Sequence, residues 1–360
     1  MDYSYQITAA DIVLKNALSN KYLASILAAC PGSGKTTVSH YVINNYLKMF
    51  PKARVLVLTE GQNVLANQYL SELVNPNIPI NFSFGPIGSD VQVEVGIPQS
   101  INKRSQDTYN LLIIDEAHNY YLETMVQNIV KTIKPKHQIL MTGSPTKYNK
   151  HNQAIKYDIF NRIMKRPYGI HYISAEDLMD RGVFNHVNMD VARIPNRKDP
   201  VNVIDNVLVQ ARNQSYNLSK IMIACPNITF AKKVANRLEN TYKRKVSLST
   251  SKNDPEGLEI EKFKSGETNV LIVVGRGILG FNDKMMTALF DFRSSSNLDA
   301  SYQLFARVLR VHPDNVSKAY IRIASEDYNK QVLTLHKIGA LMDREIFMNF
   351  TGNNLKLEIS

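Results

Sequence analysis

The stretch AACPGSGKTT, residues 28–37, decides how this chain is read. An apolar run, YLASIL at 22–27, precedes it, and a helical pattern, VSHYVINNYLKMF at 38–50, follows it. A strand, a glycine-rich turn and a helix in that order let backbone N–H groups turn inward around phosphate oxygens. The positive end of the helix then faces the anion. In such a loop, spanning Ala29, Cys30, Pro31, Gly32, Ser33, Gly34, Lys35 and Thr36, the lysine reaches the β- and γ-phosphates of a nucleoside triphosphate. The hydroxyl of Thr36 is placed to serve a magnesium ion. The general pattern opens on glycine, whereas this one opens on Ala29.

Downstream, the apolar run LLII at 111–114 leads directly into Asp115-Glu116-Ala117-His118. Carboxylates at the C-terminal end of a strand beside a phosphate loop are placed for a magnesium–nucleotide complex. Asp115 is the expected magnesium partner, through water, and Glu116 the group that orients and deprotonates the attacking water. His118 has no partner at metal-ligand spacing, so zinc is not expected.

Farther out, short apolar runs alternate with amphipathic stretches. VLVL (55–58), ILM (139–141), IMIA (221–224), VLIVV (270–274) and AYIRIA (319–324) have the continuous apolar character of strands buried on both faces. NITFAKKVANRLENTY places Ile228, Ala231, Val234, Ala235 and Leu238 on one helical face and Lys232, Lys233 and Arg237 on the other. The alternation predicts an α/β fold, a mainly parallel sheet with helices on both faces. At 360 residues the chain has length for two such domains. The pattern pauses over 175–200, which places a junction near residue 185: a first domain over 1–185, a second over 186–345, and a tail over 346–360.

Composition narrows the function class. Hydrophobic content of 44% and charged content of 21% fit a soluble globular chain. No apolar run is long enough to span a bilayer, and the N-terminus MDYSYQITAADIV lacks the character of a signal peptide. Cys30 and Cys225 are too far apart for a redox or metal motif, so a reducing, cytoplasmic setting is expected. The formal net charge of +11 favours a polyanionic partner, although runs such as Lys243-Arg244-Lys245 are more often solvated faces than binding sites.

The second half adds SYQLFARVLR, residues 301–310. Spacings of four and three put Gln303, Arg307 and Arg310 on one face of the helix expected there. Burying two arginines and a glutamine is costly without an anionic partner. A γ-phosphate held on the other domain is such a partner, and hydrolysis would then depend on domain closure.

Taken together, these segments resemble the ordered motifs of superfamily 2 helicases over nearly the whole chain. Residues 29–36 match the first motif, where a leading alanine is common, and Asp115 to His118 match the second in its DEAH spelling. Thr142-Gly143-Ser144-Pro145 resembles the third, IMIACPN (221–227) the fourth, and GRGILGFN (275–282) the fifth. Gln303 to Arg310 fits the sixth, with Ala306 where glycine is usual. The segment LRVHPDNVSKAYIRIA is closer in style to restriction-enzyme motors and phage branch-migration helicases than to the RNA DEAD-box branch.

The resemblance implies two tandem RecA-like domains, with ATP and Mg2+ as cofactors. It assigns Gln6 to the adenine and Pro31, Gly32, Ser33, Gly34, Lys35, Thr36, Thr37, Gly280 and Asn282 to the nucleotide. Thr36 and Asp115 serve the metal, with Lys35, Asp115, Glu116, Gln303, Arg307 and Arg310 catalytic. Thr59, Gln68, Gln99, Ser100, Thr142, Ser144, Pro226, Asn227, Gly275 and Arg276 are assigned to the nucleic acid, although Glu60-Gly61 replaces the family's usual proline. The implied function is an ATP-driven motor on nucleic acid, DNA before RNA, working as a monomer with protein loading partners and without a membrane. A protein-translocating motor of the same fold and a catalytically dead binding module are the rival readings.

Overall fold

The computed structural model describes residues 3–19, 21–22, 24–59, 63–73, 81–101, 108–117, 121, 123–143, 147–148, 154–155, 169–250, 252–254, 257–275, 283–293, 295, 297–314 and 316–344. Two compact units divide the chain. One spans Met1–Asp177 and takes in Arg344; the other spans Leu178–Asp343. Residues 178–185 fall in the second unit because the amides of Val183 and Phe184 bond to the Leu178 carbonyl and that of Asn185 to the Leu309 carbonyl.

The first unit is built on a seven-stranded sheet. Its elements in chain order are α1 (Ser4–Leu18), β1 (Ser25–Ala29), α2 (Lys35–Met49), β2 (Val55–Leu58), α3 (Asn63–Leu73), β3 (Phe84–Pro86), β4 (Val93–Gly96), α4 (Pro98–Ile101), β5 (Leu111–Ile114), α5 (Thr124–Ile133), β6 (His137–Thr142) and β9 (Gly169–Ile173). β7 (Lys147–Tyr148) and β8 (Ala154–Ile155) form a separate antiparallel pair. The sheet order is β3-β4-β2-β5-β6-β1-β9, and every pairing is parallel. β1, β2 and β5 are buried along their full length. That burial explains their unbroken apolar sequences, since helices cover both faces. Each such fully buried Leu, Ile or Val side chain contributes about 1.5–3 kcal/mol. Because all strands run the same way, the segments after β1, β2, β4, β5 and β6 emerge at one edge of the sheet.

The second unit repeats the plan. α6 (Ala175–Asp180) crosses the division, and β10 (Val187–Arg193), α7 (Pro200–Asn213), β11 (Ile221–Ala224), α8 (Ile228–Asn240), β12 (Val246–Thr250), α9 (Leu258–Ser265), β13 (Val270–Val274), β14 (Ala288–Asp291), α10 (Leu298–Phe305), β15 (Lys318–Ala324) and α11 (Tyr328–Ala340) follow. The order β10-β15-β14-β11-β13-β12 is again wholly parallel. Helix starts are marked by side-chain caps. Asp199 accepts from the Val201 amide ahead of Pro200, and Asn227 accepts from the Phe230 amide. On α8, Ala231, Val234, Ala235 and Leu238 enter the core, while Lys232 and Lys233 stay exposed.

Charge is buried at the C-terminal end of β14. Asp291 and Arg322 are both fully buried. The Asp291 carboxylate accepts from Arg293 Nε at 2.9 Å, from Arg322 Nη1 at 3.2 Å and from the Tyr320 hydroxyl at 3.1 Å. Arg322 also donates to Gln331 Oε1 at 2.7 Å and to the Ser295 carbonyl at 2.6 Å. The carboxylate is thus shared by two guanidinium groups, and its partners are themselves hydrogen-bonded, the condition under which buried ions are tolerated.

Candidate nucleotide site

The first-unit sheet edge gathers the predicted nucleotide residues. β1 delivers the glycine-rich loop, and α2 begins at Lys35 with Gly34 as its cap. Gly32 and Gly34 have φ of 86° and 84°. Residues with a side chain rarely adopt that region, and successive N–H groups turn inward there. The Ser33 hydroxyl is buried and has no hydrogen-bond partner among the described residues. Pro31 is buried, and Gly32, Thr36 and Thr37 are half-buried. α1 packs over the loop: the Tyr5 hydroxyl donates to the Ser33 carbonyl at 2.6 Å, and Gln6 Nε2 donates to the same oxygen at 3.3 Å. A Cβ on Gly34 would lie 2.3 Å from Gln6 Nε2, so only glycine permits this approach.

Across the edge, Asp115 follows β5, and its amide donates to the Leu58 carbonyl of β2 at 2.9 Å. Lys35 Nζ lies 3.3 Å from Glu116 Oε1. Glu116 sits at φ 47°, an uncommon backbone region for a residue with a side chain, and its amide donates to Asp115 Oδ1 at 3.0 Å. Burial pushes the Asp115 carboxyl well above the usual carboxylate range. The neighbouring Glu116 charge adds to the shift, Lys35 opposes it, and Glu72 on α3 adds a smaller push. No set of three or more His, Cys, Asp or Glu side chains among the described residues makes a self-sufficient metal cage. One or two carboxylates plus a hydroxyl suit magnesium, which takes its remaining ligands from water and phosphates. Asp115 and Thr36 therefore fit that ion.

The other assigned residues divide. Gln99 is exposed and Ser100 half-buried on the single turn of α4. Thr59 and Thr142 are buried, and the Thr59 hydroxyl donates to the Gly96 carbonyl at 3.5 Å. Pro226 and Asn227 are exposed after β11, with the Asn227 side chain engaged as a helix cap. Gly275 is exposed after β13 with φ 66°. Ser144, Arg276, Gly280, Asn282 and His118 lie outside the described residues, as does the side chain of Gln68 on α3.

One correction concerns the expected shared helical face. Gln303 is buried on α10, but that helix ends at Phe305. The amides of Val308 and Leu309 bond three residues back, to Phe305 and Ala306. Arg310 then forms an antiparallel bridge with Phe184. Pairing with residues 183–185 pulls the chain out of the helix, so Arg307 lies in the turn and Arg310 in the bridge. Sequence reading also missed β10, Tyr69 and Ser39. Tyr69, next to Gln68, and Ser39, three residues after Thr36, were the only signals for the last two.

Residues 2–147 match the family model described as type III restriction enzyme, res subunit. Among solved structures, a fragment described as an HsdR subunit of a type I restriction enzyme from Vibrio vulnificus YJ016 matches at TM-score 0.66 and 16% identity. That match covers 97% of this chain and 66% of the fragment. The chain shares the fold of that fragment, parallel sheets covered by helices on both faces. The ATP-dependent type ISP restriction-modification enzyme LlaBIII, bound to DNA, matches this fold at TM-score 0.70 and 14% identity, over 96% of this chain and 30% of that one. S. cerevisiae Dbp5, bound to RNA and ADP BeF3, matches at 0.62 and 14%, over 98% and 92%. The chain thus spans less than two thirds of the two restriction enzymes it resembles. No curated protein sequence matches it. No helix among the described residues is long and apolar enough to cross a membrane.

Proposed function

We propose that the chain is an ATP-hydrolysing motor that acts on nucleic acid, DNA in preference to RNA. The observation that carries this is the Lys35–Glu116 ion pair at the mouth of the glycine-rich loop. It brings a phosphate-binding cation and a candidate general base together on one sheet edge. Nucleotide phosphates entering the loop compete for Lys35, which releases Glu116 to hold and deprotonate a water. The loop amides and the N-terminus of α2 hold the phosphates in place. Magnesium, when bound, neutralises charge on the transferred phosphoryl group. Asp115 and the Thr36 hydroxyl are the residues that would hold it. Arg307 and Arg310 of the second unit are proposed to meet the γ-phosphate on closure, as the motif resemblance implies.

Nucleic acid as the partner is supported by the net charge of +11, the restriction-subunit family match, and the DNA and RNA bound to the relatives above. DNA is favoured because the family match is to a restriction enzyme subunit. The test is steady-state ATP hydrolysis with no polymer, single-stranded DNA, duplex DNA, forked DNA and RNA. Stimulation by DNA is expected. Stimulation by RNA alone moves the reading to an RNA motor, and equal rates throughout overturn it. In the same assay Glu116→Gln should retain ATP binding and lose turnover by on the order of 10²-fold or more. Near-normal turnover removes Glu116 as the base.

A further inference from the structure

A polar chain runs from α3 to the first turn of α2. α3 begins shortly after Thr59, on the segment assigned to the polymer, and carries Tyr69 back toward the phosphate loop. Tyr69 is 3% exposed and Ser39 fully buried. The Tyr69 and Ser39 hydroxyl oxygens are 2.5 Å apart, and Ser39 Oγ donates to the Thr36 carbonyl at 2.7 Å. A serine hydroxyl has one proton. Here the Thr36 carbonyl takes it, so Tyr69 donates to Ser39. Burial holds the phenol well above its ordinary range, which keeps that donor protonated. The Tyr69 ring meets His40 edge-on at 5.2 Å and 85°. Asp115 and Glu72 both act electrostatically on Tyr69. α3 thus delivers a tyrosine hydroxyl to the turn that carries Thr36, within electrostatic reach of Asp115.

Core packing alone does not call for this oxygen. Phenylalanine would fill the same space with no buried polar atom to satisfy. We infer that Tyr69 is a positioning residue that, through Ser39, couples movement of α3, which follows the segment the resemblance assigns to the polymer, to the turn of α2 that carries Thr36. The inference rests on the motor reading for its biological input, since the polymer is what would move α3. Tyr69 touches neither nucleotide nor metal in this account. It acts by fixing the Thr36 carbonyl, and with it the rotation of the turn that presents the Thr36 hydroxyl.

The experiment uses the full chain and three variants: Tyr69→Phe, Ser39→Ala and the double variant. ATP hydrolysis is measured across ATP concentrations with and without the polymer that best stimulates the wild type. Tyr69→Phe keeps the ring against His40 and removes only the hydroxyl, so at saturating Mg2+ basal kcat and KM should stay within about twofold. The polymer-stimulated kcat should fall about fivefold, the scale of one net hydrogen bond. Ser39→Ala should show the same loss, and the double variant no more than either single one, since residues in one chain are not additive. Full stimulation in Tyr69→Phe, or losses that simply multiply, overturns the coupling. A wild type that no polymer stimulates instead defeats the motor reading. The coupling is then read from the Mg2+ requirement for binding a fluorescent ATP analogue. A higher half-saturating Mg2+ in Tyr69→Phe supports the hydroxyl link to the Thr36 turn, and an equal value overturns it.

Discussion

Each unit carries an aspartate at the C-terminal edge of its sheet and surrounds it differently: Asp291 is fully buried, Asp115 half-buried. Asp115 follows β5 and Asp291 ends β14, each at the C-terminal edge of a parallel sheet. Asp291 accepts from Arg293, Arg322 and Tyr320, so its charge is neutralised within the fold. Asp115 stands beside Glu116 and within reach of Glu72, with Lys35 as the opposing cation, and its carboxyl is driven upward. One carboxylate is matched by guanidinium groups of its own fold; around the other, burial and neighbouring carboxylates outweigh the lysine. The same kind of sheet edge thus gives two electrostatic settings, and the raised carboxyl lies in the unit that carries the glycine-rich loop.

Exchanging each aspartate for asparagine is the strongest way to break that comparison. Asp291→Asn leaves two buried guanidinium groups short of a counter-charge and should cost about 3–5 kcal/mol of stability, read by urea denaturation. Asp115→Asn should do the reverse. A carboxyl whose folded pKa is raised loses stability for the fold as pH climbs past its ordinary range, because the folded protein resists ionising it. Removing that charge should raise the urea midpoint at pH 8 without Mg2+, while abolishing Mg2+-dependent hydrolysis. Equal destabilisation by both variants would show that the two edges are not different after all.

Much of this contrast is legible in sequence, and the reasons are physical. Strands buried on both faces are written as unbroken apolar runs, so VLVL, LLII, IMIA and VLIVV announce themselves. The glycine-rich loop is equally local. β10 escaped because its sequence, VNMDVAR, mixes polar and apolar residues, as suits a sheet-edge strand that is only partly buried. The end of α10 escaped because the apolar pattern runs on through Val308 and Leu309, while the chain is turned by pairing with residues 183–185, far away in sequence. The burial of Thr59 and Thr142 depends on strand register, and the Tyr69–Ser39 contact joins residues that no period connects. Whether a buried aspartate is saturated is likewise set by tertiary partners: Arg322 reaches Asp291 from the next strand.

A smaller effect sharpens the picture of the first unit. Burial lowers the His40 imidazole to about 4, and its Nε2 has no hydrogen-bond partner among the described residues. The unfolded imidazole takes up its proton near pH 6.5, the folded one only near 4. The stability linked to this neutral ring is therefore complete above about 6.5 and lost as pH falls toward 4, by at most roughly 3 kcal/mol. His40→Phe keeps a ring edge against Tyr69 and should flatten the unfolding free energy between pH 6.5 and 4 relative to wild type. Parallel pH profiles would mean that His40 is already solvated, and that the first unit tolerates fewer unsaturated groups than its geometry indicates.

The smallest expected effect compares two glycines. A Cβ on Gly143 would lie 2.9 Å from Lys35 Nζ and 3.2 Å from Pro31 Cγ. Around Gly275 a Cβ would meet nothing within 4 Å, but φ is 66°. Gly275→Ala should therefore cost about 1–2 kcal/mol of stability through the left-handed backbone alone. Gly143→Ala displaces the far end of a flexible lysine, so its effect on stability should stay within about 0.5 kcal/mol. It should act instead on turnover, because Lys35 is pushed off the position from which it meets Glu116 and, in the proposed reaction, phosphate. A raised KM for ATP with near-wild-type stability would place the clash at the lysine tip. A stability loss as large as that of Gly275→Ala, with KM unchanged, would place it at Pro31 and the loop backbone, and position 143 would then act on the loop through the frame rather than through the charge.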